Sequence, residues 1–134
     1  MNIYFSGSIR GGRSDAGLYK ELIRELKQYG KVLTEHVGAS DMELNLTDRE
    51  IHDRDIEWLE ESDIVVAEVS TPSLGVGYEI ARALSMNKSV HCLYRKADES
   101  NVSAMIKGSP NVSCHPYAAH SEALKILRNI FGDL

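Results

Sequence analysis

The run Ile64-Val65-Val66-Ala67 constrains this chain more than any other segment. It is uninterrupted by polar residues and mostly β-branched, so it reads as a strand covered on both faces and not as a half-solvated one. The strand is assigned to Ile64–Val69. Thr71-Pro72-Ser73 then breaks the chain, and helical spacing resumes near Leu74 and runs from Gly75 to Met86. A doubly buried strand feeding straight into a helix is the signature of a parallel sheet with helices laid on its faces.

The rest of the chain repeats that alternation. Asn2–Ser6 reads as a first strand. Ala16–Tyr29 carries Tyr19, Leu22, Ile23, Leu26 and Tyr29 at helical spacing and stops at Gly30. Lys31–Thr34 reads as a second strand and Val37–Leu46 as a loop. Thr47-Asp48-Arg49-Glu50 is a capping-box pattern opening a helix that runs to about Ser62. Ser89–Tyr94 is a fourth strand, Asn101–Lys107 a short helix, Val112–His115 a fifth strand, and Ser121–Phe131 a closing amphipathic helix. These elements predict an α/β fold of flavodoxin or Rossmann type. Its five parallel strands are in the order 2-1-3-4-5, with helices on both faces.

Residues 1–134 are long enough for one domain with its own core, and no linker or repeat divides them. The formal net charge is −5 and no basic stripe is present, which argues against a nucleic-acid polymer as partner. No run approaches a membrane span of ~18 apolar residues. The start, Met1-Asn2-Ile3-Tyr4-Phe5, lacks the form of a signal peptide. Cys92 and Cys114 show no paired-cysteine spacing and are expected to be reduced thiols of a cytoplasmic protein, with the nucleus also open to it. His36, His52, His91, His115 and His120 show no zinc spacing, so no metal is expected.

Four features carry chemistry. Glu79 lies early in the helix after the third strand, near the carboxyl edge of the sheet, where such folds bind ligands. Val76, Ile80, Ala83 and Met86 place it on an inward face. The plainer reading is a first-turn acid favoured by the helix dipole. Gly7-Ser8-Ile9-Arg10-Gly11-Gly12-Arg13 joins the first strand to the first helix. Its glycines free N–H groups to face an anion, and Arg10 and Arg13 suit phosphate, although Gly-Gly is commonly only a turn. Asp55 shares a helix face with Ile51, Trp58 and Leu59, so it needs either a task or a structural partner such as an arginine. Tyr4 sits within the first strand, where a buried hydroxyl needs a hydrogen-bond partner.

Together these segments resemble a known family. Tyr4 to Arg13, Val32 to Val37, Ile51-His52 with Asp55, Trp58 and Leu59, Val65 to Val69, Pro72 to Glu79, and Ser103 to Ile106 are similar to the 2′-deoxynucleoside 5′-phosphate N-hydrolases, within the nucleoside 2-deoxyribosyltransferase superfamily. The resemblance runs to about Gly108 and is less marked in Gly38–Leu46 and after Ser109.

The resemblance implies hydrolysis of the C1′–N bond of a deoxynucleoside monophosphate, giving free base and 2-deoxyribose 5-phosphate. It implies that Glu79 is the nucleophile, Asp55 the acid/base and Tyr4 the hydroxyl orienting Glu79. This is the logic of retaining glycosidases, whose carboxyl groups lie ~5–5.5 Å apart. Ser73 and Gly75 would receive the phosphate together with Ser8 and Arg10, and Gly7, Gly11, Gly12 and Arg13 of the same loop are expected to bind substrate. Ile9 and His36 would wall the base. Ser103 and Met105 would reach the partner's site in a homodimer. No metal or organic cofactor is implied. A nucleoside 2-deoxyribosyltransferase, a ribonucleotide hydrolase acting on CMP-type substrates, and a silent nucleotide-binding module are the alternatives.

Overall fold

The computed structural model describes residues 1–8, 15–36 and 45–132. Of the expected site residues, Ile9, Arg10, Gly11, Gly12 and Arg13 lie outside the described residues, as does most of the loop expected over residues 37–46. Five parallel strands form one sheet: β1 (Asn2–Gly7), β2 (Lys31–Val32), β3 (Ile64–Glu68), β4 (Ser89–Arg95) and β5 (Val112–Tyr117). Their order is β2-β1-β3-β4-β5, as the alternation predicts. The helices are α1 (Ala16–Leu26), α2 (Asp48–Glu61), α3 (Leu74–Ser85), α4 (Ala104–Lys107) and α5 (His120–Gly132).

The period of two along the strands sorts the core into two layers. Ile3, Phe5, Ile64, Val66 and Leu93 face α1 and α5, where they meet Leu18, Leu22, Leu26, Leu127 and Phe131. Tyr4, Val65, Ala67, Val90 and Cys92 face α2 and α3, where they meet Leu59, Val76, Ile80 and Ala83. Every residue of β3 is buried, as its unbroken apolar run demands.

Several boundaries differ from expectation, each for a local reason. The second strand keeps only Lys31 and Val32 of the expected Lys31–Thr34. Leu33 still donates its N–H to the Ile3 carbonyl, but at Thr34 the side chain replaces the ladder. Its Oγ1 accepts from the Phe5 N–H at 3.0 Å and donates to the Phe5 carbonyl at 2.8 Å. The first helix stops at Leu26 instead of Tyr29, because Gln28 and Tyr29 bond three residues back and tighten the last turn. Of the short helix expected at Asn101–Lys107 only α4 is α-helical, starting at its cap Ser103, and a 3-10 turn, Lys96–Asn101, precedes it. The fifth strand continues two residues past His115 and buries Tyr117 completely.

The capping box at α2 forms in full. Thr47 Oγ1 accepts from the Glu50 N–H, and Glu50 Oε1 accepts from the Thr47 N–H, both at 3.1 Å. Helix α3 begins at Leu74 with Ser73 as its cap. It ends in a left-handed residue, Asn87 (φ 60°), with bonds from Asn87 to Leu84 and from Lys88 to Ala83 that close its last carbonyls. Both ends of α3 are therefore fixed, and with them the position of Glu79.

Candidate active site

A cavity of about 610 Å³ opens at the carboxyl ends of β1 and β3. Tyr4 to Ser8 form its floor, Ile51, His52, Asp55 and Ile56 of α2 one wall, and Pro72 to Val76 with Tyr78 and Glu79 the other. The structure thus gathers Tyr4, Gly7, Ser8, Asp55, Ser73, Gly75 and Glu79 at one place, although they are spread over most of the sequence.

Glu79 is the sixth residue of α3, and no acid occupies the first turn of that helix. This corrects the expectation that a first-turn position keeps it charged, since the field of the helix end fades within one turn. Hydrogen bonds hold its carboxyl group in place. Ser6 Oγ donates to Glu79 Oε2 at 2.9 Å, and the Tyr4 hydroxyl also donates to the Glu79 carboxylate. Tyr4 is only 1% exposed. Burial first, and then the negative charges of Glu79 and Asp55, push its hydroxyl far above the ordinary tyrosine value. It therefore remains a neutral O–H donor across the physiological range.

Asp55 has both the pocket position and a structural partner. It lines the cavity, and its Oδ1 accepts from Arg54 Nε and pairs with Arg54 Nη2, each at 3.0 Å. The Arg54 guanidinium also lies 4.8 Å from the Trp58 ring centroid, a second contact that braces the arginine.

Ser8 is buried and gives its N–H to the Tyr19 hydroxyl at 3.1 Å. Ser73 Oγ accepts from the Val76 N–H at 3.3 Å, leaving its own proton to donate elsewhere.

Other expected residues fall elsewhere. His36 is absent from the cavity lining; its ring is exposed and lies 3.6 Å from the Glu35 carboxylate. Ser103 and Met105 line a second cavity, of about 670 Å³, between α3 and α4. Within its own chain Ser103 caps α4, accepting from the Met105 N–H at 3.1 Å. The two cavities meet across the β3–α3 turn, since Pro72, Ser73, Leu74 and Val76 line both.

The sequence reading missed Ser6, Arg54 and the pair His52–Tyr78. The signal for Ser6 was present: two residues beyond Tyr4 on a strand, it must share Tyr4's face. His52 Nε2 lies 2.9 Å from the Tyr78 hydroxyl, which also accepts from Arg82 at 2.6 Å, so this pair ties α2 to α3 at the cavity wall. Among the described residues no group of three or more metal-binding side chains occurs, and no helix is long and apolar enough to cross a membrane.

Fold and cavity define a doubly wound α/β protein with two carboxylates at the carboxyl edge of its sheet. The model of the nucleoside 2-deoxyribosyltransferase family matches residues 3–121, and the chain belongs to that family. A Nematostella vectensis protein provisionally named 2′-deoxynucleoside 5′-phosphate N-hydrolase 1 is 60% identical over 81% of this chain and 78% of its own. The 5-hydroxymethyl-dUMP N-hydrolase of Danio rerio is 53% identical over 81% of this chain and 79% of its own. Among solved structures, the Clostridium botulinum CMP N-glycosidase BcmB superposes with a TM-score of 0.74, covering 97% of this chain and 99% of that one. At 19% identity it speaks for the fold alone.

Proposed function

We propose that this protein is an enzyme that hydrolyses the N-glycosidic bond of 2′-deoxynucleoside 5′-monophosphates, giving free base and 2-deoxyribose 5-phosphate by way of a glycosyl-Glu79 intermediate. The observation that carries the reading is Glu79, held at the cavity by Ser6 and Tyr4 with Asp55 on the facing wall. Relatives named as N-hydrolases at 49–60% identity support it.

The chemistry follows from the donors. A Glu79 oxygen attacks C1′ as the C1′–N bond breaks, and the bond's electrons leave with the base, which takes the proton carried into the step by a protonated Asp55. Water then attacks C1′, giving its proton to the Asp55 carboxylate, and the ester's electrons return to Glu79. The 5′-phosphate is assigned to Ser8, Ser73 and the start of α3, with Arg10 and Arg13 from the glycine loop. His36 and Ile9 remain assigned to the base.

A homodimer is part of the proposal. Leu74 and Met105 are 97% and 84% exposed beside the second cavity. A second copy seated there would stand next to the turn that both cavities share, and Ser103 and Met105 would then reach the partner's site.

Base release from a panel of deoxynucleoside monophosphates (5-hydroxymethyl-dUMP among them), matched ribonucleotides and free deoxynucleosides tests the reading. Only the deoxynucleotides should turn over well. Glu79→Gln should abolish release while the fold persists, and mass spectrometry should find a deoxyribosyl adduct on Glu79 of the wild type. Near-normal turnover by Glu79→Gln would remove the covalent role. Mixing Glu79→Ala subunits with subunits disabled by a bulky change at Ser103 should restore activity. No recovery after proven subunit exchange would end the shared-site model.

A further inference from the structure

On the α1/α5 side of the sheet, behind the cavity, lies a set of buried polar groups that the proposed chemistry does not use. Asp15 is 5% exposed, Glu68 0% and Ser70 2%. Asp15 stands where a helix-capping residue belongs, one position before α1, yet its side chain makes no capping bond. Both oxygens are committed elsewhere. Arg95 Nη1 donates to Oδ1 at 2.8 Å, and Thr71 Oγ1 donates to Oδ2 at 2.9 Å. Arg95 is itself fixed: its Nε donates to Asp98 at 2.6 Å, and its backbone N–H donates to Ser70 Oγ at 2.8 Å. Ser70 in turn donates N–H and Oγ to Glu68 at 2.8 and 2.9 Å, and the Tyr117 hydroxyl donates to the same carboxylate.

An aspartate that gives up capping and is buried against an arginine 80 residues away has another use. Its bond to Thr71 fixes the turn that carries Ser73, two residues on. One turn further along α1, the Tyr19 hydroxyl takes the N–H of Ser8. The first turns of α1 thereby touch both the floor of the cavity at Ser8, through Tyr19, and the wall that carries Ser73, through Asp15 and Thr71.

We infer that Asp15, anchored by Arg95, is a positioning residue that spaces Ser8 and Ser73 through Thr71 and so sets the enzyme's selectivity for a 5′-phosphorylated substrate. The inference rests on the assignment of the phosphate to these serines. It differs from a purely stabilising role in what it moves: transfer of the phosphate from water to the site, and not the chemistry at C1′.

The test is the ratio of kcat/KM for a deoxynucleoside 5′-monophosphate to that for the free deoxynucleoside, together with inhibition by inorganic phosphate. Thr71→Val keeps size and deletes only the link. A displacement of the turn by a fraction of an ångström should lower the ratio about tenfold, and weaken phosphate inhibition similarly, while free-deoxynucleoside turnover stays within about twofold. Thr71→Ser, which keeps the hydroxyl, should restore the ratio. Asp15→Asn should lower it at least as far, and if that variant does not fold, Thr71→Val still decides. A wild-type preference for phosphate that survives Thr71→Val, or an equal loss on both substrates, would overturn the inference alone. A wild type indifferent to the phosphate would overturn the phosphate assignment, and the inference with it.

Discussion

Ser6→Ala probes the reaction centre with little disturbance to the fold. The change removes one hydroxyl at a position 3% exposed and leaves the β1 backbone untouched. What is lost is the 2.9 Å bond from Ser6 Oγ to Glu79 Oε2. A hydrogen bond to a charged group contributes about 1.5–3 kcal/mol. At 1.36 kcal/mol per factor of ten, full loss at the transition state would slow the reaction about 13- to 160-fold. Glu79 gives up part of its charge as it approaches C1′, so the bond itself does not favour the transition state; the loss acts through misorientation of the attacking oxygen, which sets the expectation at the lower end, roughly 10- to 20-fold in kcat. Steady-state base release from the best deoxynucleotide reads this directly, with melting curves showing that the fold persists. Tyr4→Phe removes a second donor, and the double variant should lose at least as much as the two singles combined, because both donors hold the same carboxylate. A kcat within about twofold of wild type, or a loss confined to KM, would refute the argument and move Ser6 from the nucleophile to the substrate.

Three further outcomes follow from the geometry. Gly7→Ala should damage both stability and activity: its Cβ would fall 2.8 Å from Tyr19 Cζ, forcing away the ring that holds Ser8, and wild-type kcat/KM with an unchanged Tm would contradict this. Cys92 is 0% exposed and its thiol is pushed up to about 12 by burial first, so at neutral pH an alkylating reagent should leave it unmodified until the chain is denatured; rapid labelling of native protein would contradict it. Tyr19 is raised from 10.0 to about 12, mainly by burial, and Tyr4 and Tyr117 are raised further. The folded state thus favours neutral tyrosines. Their contribution is intact below about pH 10, where unfolded tyrosine begins to ionise, and for Tyr19 it is lost between there and about pH 12, so urea midpoints should fall steadily above about pH 10.

The sheet order was legible because β3 is apolar at every position and each connection carries a helical repeat. Glu79, Asp55 and Tyr4 were legible because each is polar on an otherwise apolar face. What was not legible depends on tertiary approach. The Arg54–Asp55 pair joins sequence neighbours that do not face each other on an ideal helix, and the arginine that makes it has its guanidinium over the Trp58 ring. Thr34 resembles a strand residue and acts as a substitute for strand hydrogen bonds, which only the distance to Phe5 reveals. Asp15 has the sequence position of a cap, and nothing nearby announces Arg95.

The two ends of the sheet are both poor templates. On one side β2 contributes two residues before Thr34 closes off the Phe5 backbone. On the other, β5 carries Pro116, which has no N–H to offer an incoming strand. Neither margin invites a neighbouring chain to continue the ladder, which is how folded proteins avoid edge-to-edge aggregation. The homodimer proposed above would therefore use not the sheet margins but the side-chain surface around the exposed Leu74 and Met105, where contacts are specified residue by residue and an assembly can stop at two.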